Sequence, residues 1–329
     1  MTFAGWLSIP IESTFRHNPN SEFNVAHAQG ISNPITTPQS DVAAVPVWRD
    51  YLTLTKPEIT FLVAISALAG FLLGSPGALD GWTLTWLLIG VTLSSAGAGA
   101  LNHCIEAERD ALMKRTMNRP IPSGRIPIAH ARLYGFALIC AGVGLVCPLT
   151  NPLTGVLAGA TVALYLYVYT PLKRKTTYNT LIGTLPGALP ALGGWTAATG
   201  SLGWGGFAIF GILAMWQLPH FYAIAWMYRK DYARGGHAML TVNDPEGHKT
   251  AHQILWTTVL LVVLSVTPLM LGLTTWLYGA GALVLGVWFL YAAIGFFRER
   301  TAAVAKRVLK VSIGYVQVIV LLLILDRFV

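Results

Sequence analysis

For its length this sequence carries little charge. Only 11% of its 329 residues are Asp, Glu, Lys or Arg, against 54% hydrophobic residues. A soluble domain carries about a quarter charged residues, so a soluble enzyme is excluded and an integral membrane protein is implied. Cysteine is scarcer still, at three residues. Cys104, Cys140 and Cys147 have no CxxC or metal-ligand spacing, which excludes a disulfide framework. Residues 1–45 lack an apolar run long enough for a signal peptide. Glu12, Glu22 and Asp41 beside the single Arg16 are also wrong for a mitochondrial presequence. This stretch, rich in Asn, Ser, Thr, Pro and Ala, reads as a mobile cytoplasmic tail with a short amphipathic contact over 3–11. Residues 46–329 then form the membrane domain.

Long apolar runs are what the sequence has in abundance. Taking runs of about 20 residues as spans predicts helices over 58–75, 81–104, 129–148, 152–170, 180–199, 204–227, 252–272, 276–297 and 306–326. The intervening connections alternate. One set has no Lys or Arg at all. The other holds Arg109, Lys114, Arg115, Arg119 and Arg125, then Lys173, Arg174 and Lys175, then Arg229, Lys230, Arg234 and Lys249, then Arg298, Arg300, Lys306 and Arg307. Such asymmetry predicts nine transmembrane helices, an N-terminus in the cytoplasm and a C-terminus outside. It also accounts for the net charge of +8 without a nucleic-acid partner.

The polar run 102–119 carries the chemistry. Asn102, Glu106 and Asp110 recur every four residues, which on a continuing helix puts them along one slowly rotating face. Lys114, Arg115 and Arg119 follow. Carboxylates that hold a divalent cation beside guanidinium groups that hold phosphate oxygens suit a metal-bridged polyphosphate. The competing reading is a loop that is basic for topological reasons, its acids balancing charge. Glu108, two residues from Glu106, points away from the face. Ser94 to Ala100 are small residues suited to close helix packing, with room for substrate as the second reading.

Asn102, Glu106, Asp110, Met113, Arg115, Thr116, Arg119 and Pro120, at these spacings, resemble the first polar motif of the UbiA-type intramembrane prenyltransferases. The M-x-R-T-x-x-R-P ending is similar to the haem O synthase branch. Tyr169-Thr170-Pro171-Leu172-Lys173-Arg174 and Trp216-Gln217-x-Pro219-His220-Phe221 agree with it, the latter leading into Tyr228 to Tyr232 and then Met239-Leu240. The resemblance covers about residues 50–327. It implies a UbiA-like helical bundle at the bacterial inner membrane, with its active site on the cytoplasmic side. The implied reaction moves farnesyl from farnesyl diphosphate to the 2-vinyl group of haem b, with water, giving haem O. Mg²⁺ is the implied cofactor and haem b a substrate. A haem A synthase or terminal-oxidase assembly is an implied partner, together with the bilayer.

By the same resemblance, Asn102, Glu106, Asp110 and Asp231 would hold the metal, Arg115 and Arg119 would contact diphosphate, and Lys173 would contact diphosphate or a haem propionate. Arg174 and Tyr169 would meet diphosphate or haem. His220 would face haem iron or a propionate, or is simply a buried histidine satisfied by a neighbour. The sequence departs from the family in carrying Glu at 106 and 108 and Gly235 four residues after Asp231. Two alternatives stand beside this reading. One is a prenyltransferase of the same fold acting on a quinone precursor or chlorophyllide. The other is a transporter, against which stands the near-absence of ionisable residues inside the predicted spans.

Overall fold

The computed structural model describes residues 47–329, so the tail expected over 1–45 lies outside the described residues. All regular structure among them is helical. In chain order the helices are α1 (Val47–Leu54), α2 (Pro57–Leu73), α3 (Gly81–Asp110), α4 (Ile128–Leu149), α5 (Pro152–Ala163) and α6 (Thr170–Leu172). They continue with α7 (Asn179–Thr199), α8 (Trp204–Met227), α9 (Arg229–Arg234), α10 (His248–Ser265), α11 (Thr267–Met270), α12 (Trp276–Glu299) and α13 (Ala302–Leu325). A π-helical turn, Leu164–Tyr169, joins α5 to α6.

Short polar caps start α3 and α5 at the end away from the charged connections. Asp80 Oδ1 accepts from the amides of Trp82 and Thr83 at 3.0 and 3.2 Å to open α3. Asn151 accepts from Thr154 at 2.9 Å to open α5. The bundle has two halves that share α7. α2 packs on α3 and α7, α3 on α4, α4 on α5, and α5 on α7. Beyond it, α8 packs on α7, α10 and α13, and α12 bridges α10 and α13. At the end away from the charged connections, Arg327 donates to the carbonyls of Leu72, Ser75 and Gly77. Its neighbour Asp326 accepts from the amides of Thr275 and Tyr278 at 2.8 and 3.1 Å.

Seven helical segments are long and apolar enough to cross a membrane, or eight if α1 and α2, bent by 46°, form one broken span. Of the nine runs read from the sequence, the two that stand apart are α2 and α7. α2 has 17 residues. α7 carries two prolines and four glycines among its 21 residues, and its neighbours α2, α5 and α8 enclose much of it. A helix that faces protein on most sides needs small residues for close approach more than it needs lipophilicity.

That approach is literal between α2 and α7. A Cβ on Gly70 would collide with the Ala191 carbonyl, and one on Gly194 with the Ala67 carbonyl. The small-residue face of α3 meets α4 in the same way, with Gly97 against the Gly135 carbonyl. Gly194→Leu should therefore lower stability by about 1–3 kcal/mol, the usual range for overpacking. Turnover per folded molecule should be kept, since Gly194 lies toward the far end of α7. Thermal unfolding in detergent checks this, and an unchanged melting temperature would contradict the close packing.

Candidate active site

The chain stays helical past its apolar run because Glu106, Ala107, Glu108 and Arg109 are all good helix formers. α3 thus reaches Asp110, and the face read from the sequence exists. Asn102, Glu106 and Asp110 are 0%, 7% and 1% exposed, whereas Glu108 is exposed to solvent.

Each of the three buried acceptors meets a cation from a different connection. The Lys56 ammonium donates to Asn102 Oδ1. Lys56 stands between α1 and α2 in a left-handed backbone conformation, φ 49°, which turns its side chain back toward α3. Lys173, just after α6, donates to Glu106 Oε1 at 2.9 Å. Arg119 Nη1 donates to Asp110 Oδ2 at 2.7 Å. Asn102 also gives an N–H to Thr170 Oγ1 at 3.1 Å. The π turn brings the Tyr165 hydroxyl within 3.4 Å of the Lys56 nitrogen and seats the Tyr169 ring 4.7 Å beneath the Lys173 ammonium. Extra residues in a helical turn of this kind recur at functional sites. Burial works against the Lys173 charge, but the Glu106 carboxylate and the two tyrosine oxygens outweigh it and hold its pKa above that of ordinary lysine.

α9 and the connection after it close over this row. Asp231 accepts from the Arg115 amide at 3.0 Å and from Arg234 at 2.9 Å. The Arg115 guanidinium lies 5.3 Å from the Tyr228 ring and 5.9 Å from that of Tyr232. Arg109 Nη1 donates to the carbonyls of Gly235 and Gly236 at 2.7 and 2.9 Å. The Ala238 amide donates to the Lys173 carbonyl at 2.7 Å, and Asn179 to the Ala238 carbonyl at 2.8 Å. Three polar connections are therefore knitted into one surface.

Not every residue singled out in the sequence joins it. Arg174 is exposed and donates to the Ile105 carbonyl at 3.3 Å. His220 Nδ1 shares a hydrogen with Ser312 Oγ at 2.8 Å, between the rings of Trp216 and Phe221 at 5.1 and 5.3 Å. That is the neighbour-satisfied arrangement. Other residues enter the site without a clear signal in the sequence: Lys56 and Tyr165, and the buried histidines His103 and His237, whose Nδ1 atoms have no hydrogen-bond partner among the described residues. Burial holds His237 down at about 4 despite the opposing pull of Glu106. The only hint of Lys56 was its place before Pro57, at the mouth of an apolar run.

Among the described residues, no three His, Cys, Asp or Glu side chains gather as a metal cage. The amide and carboxylate oxygens of Asn102, Glu106 and Asp110 are nevertheless hard donors in one row. Such a set fits a hard divalent cation that takes its other ligands from substrate phosphate and water, as Mg²⁺ commonly does.

A clamp outside the row steadies the basic connection 111–127. Arg125 grips the carboxylate of Asp50 in α1, which is 4% exposed, through Nε at 3.0 Å and Nη2 at 3.0 Å. It also reaches Ser123 Oγ and the Asn118 carbonyl at 2.7 and 3.0 Å. Charge-assisted hydrogen bonds contribute about 1.5–3 kcal/mol. Asp50→Ala should therefore make trypsin cut after Lys114 and Arg115 about tenfold faster or more. Unchanged digestion would show that the clamp does not hold the connection.

Residues 63–314 match the UbiA prenyltransferase family. The chain is 57% identical over 279 residues to a protoheme IX farnesyltransferase of Salinibacter ruber, covering 85% of this chain and 99% of that one. It is 40% identical to a protoheme IX farnesyltransferase of Opitutus terrae, covering 89% and 98%. Among solved structures, a digeranylgeranylglyceryl phosphate synthase superposes with a TM-score of 0.71 at 20% identity, over 86% of this chain and 99% of the other. A UbiA homolog from Archaeoglobus fulgidus bound to GPP and Mg²⁺ gives 0.64 at 14% identity, over 83% and 99%. These two likenesses establish the fold.

Proposed function

Because the chain belongs to the UbiA prenyltransferase family, we propose that it is a protohaem IX farnesyltransferase, joining farnesyl diphosphate, haem b and water into haem O and diphosphate. The observation that carries the choice of acceptor is the 57% identity, over 85% of the chain, to a protein named for that activity.

In this reaction the bond from the farnesyl C1 to the bridging oxygen breaks, and its electron pair leaves with diphosphate. C1 then bonds to the terminal carbon of the 2-vinyl group. The oxygen of water bonds to the inner vinyl carbon, and one proton is released. The barrier lies in the charge that grows on the departing diphosphate, so fixed positive groups aimed at it lower the barrier most. Lys56, Lys173 and Arg119 are such groups. Each rests on an acceptor of α3, so all three positive groups line the one row. Arg115, from the same connection as Arg119, stacks on Tyr228 and Tyr232 and adds a second guanidinium. Asn102, Glu106, Asp110 and Asp231 are the residues to hold Mg²⁺, which when bound supplies Lewis-acid neutralisation of the diphosphate. Apolar helix faces take the C15 chain and keep stray water from the allylic cation.

In our reading nine helices cross a bacterial inner membrane, the N-terminus is cytoplasmic and the C-terminus outside. The basic connections around the site favour this orientation. The test is mass spectrometry of haem extracted after incubating purified protein with haem b, farnesyl diphosphate and Mg²⁺. A Mg²⁺-dependent product carrying one farnesyl group plus water is expected. Unchanged haem, from a folded sample that prenylates a quinone precursor, would overturn the acceptor.

A further inference from the structure

α12 and α13 enclose a groove of about 520 Å³ lined by Trp288, Tyr291, Ala292, Arg307, Lys310 and Val311. It opens sideways from the bundle, since Trp288 and Tyr291 are 46% and 68% exposed. It lies toward the end where Arg300, between the two helices, reaches His248 at 3.0 Å, which is the end of the polar connections. Arg307 and Lys310 stand one turn apart on α13 and are both exposed. Neither makes an ion pair or hydrogen bond among the described residues. This separates them from Lys56, Lys173 and Arg119 of the active site, which rest on the α3 acceptors Asn102, Glu106 and Asp110.

The groove is also graded. Beyond the two cations come the Trp288 and Tyr291 rings, the residue types that settle at a membrane interface. A Cβ at Gly314 would lie 3.3 Å from the Trp288 ring, so the glycine lets the indole close down on α13. Further along, Val284 and Val287 of α12 and Val318 and Leu321 of α13 are exposed and wholly apolar. Anion-seeking groups, amphipathic rings and an apolar lane follow one another along a single seam.

We propose that this groove binds an anionic glycerophospholipid. Its phosphate lies between Arg307 and Lys310, its glycerol region against Tyr291 and Trp288, and an acyl chain along the valine lane. Basic pockets between transmembrane helices take lipid phosphates in this way. The inner face of α13 carries Ser312, which holds both Trp216 and His220. A lipid seated on the outer face therefore steadies a helix that braces the core from within.

The test compares the intact protein with its Arg307→Gln/Lys310→Gln double variant by native mass spectrometry and thermal unfolding in detergent. Phosphatidylglycerol and phosphatidylcholine are the probes. Phosphatidylglycerol should be retained by the unaltered protein and raise its melting temperature. The double variant should bind it about tenfold more weakly, while keeping farnesyl transfer in detergent as proof of its fold. Equal phosphatidylglycerol binding by both proteins would overturn the proposal, as would equal retention of phosphatidylcholine. Loss of haem binding in the variant with lipid binding unchanged would also overturn it, in favour of a porphyrin dicarboxylate.

Discussion

Asp110→Asn is expected to leave a folded membrane protein whose turnover falls by about 10²- to 10³-fold, the usual consequence of removing one preorganised electrostatic group. The substitution keeps the size and an acceptor oxygen for Arg119, whose contact with Asp110 is 2.7 Å, so packing around this fully buried position survives. What it removes is one negative charge in the row of Asn102, Glu106 and Asp110. A metal bridging that row to diphosphate would then be held more weakly, and raising Mg²⁺ should recover part of the lost rate. Product measured by mass spectrometry across a Mg²⁺ titration is the check. Full activity at ordinary Mg²⁺ would remove Asp110 from the chemistry, and an unfolded variant would instead make its role structural.

A cycle on Glu106 and Lys173 separates stability from catalysis. Lys173→Gln leaves Glu106 buried without its cation, and breaking a buried pair from one side costs about 3–5 kcal/mol. Glu106→Gln strands Lys173 in the same way. The double variant, two neutral amides facing each other, should regain most of the stability lost by either single one. It should nonetheless stay about 10²-fold or more below the unaltered enzyme in turnover, because both the acceptor for metal and the donor for diphosphate are gone. Recovery of turnover together with stability would show that the 2.9 Å pair only holds the fold. Unfolding curves and haem product from the same preparations decide between them.

The row on α3 was legible because a four-residue repeat in a helix projects onto one face whatever surrounds it. Arg115, Arg119 and Lys173 were legible as basic residues of the right kind, but their partners were not. Which acid meets which base depends on packing between segments such as 106 and 173, 67 residues apart. Lys56 illustrates the loss most clearly. In the sequence it is one more basic residue at a helix start. In the structure a left-handed turn delivers its side chain to Asn102, 46 residues away. His237 had no readable spacing, since its place depends on the fold of the connection after α9. The apolar runs located all the long helices but overstated how uniformly they meet lipid. α7 is a run by composition and an interior strut by position.

The latch formed by Arg327 has a consequence in time. The Ser75 carbonyl waits for 252 further residues to be synthesised before its donor exists. While the intervening helices enter the bilayer, α2 can already pair with α3 and α7, but the joint between α2 and α13 has only one side. The bundle is thus a hoop whose buckle arrives late. Until it fastens, α7 is the main joint between the two halves.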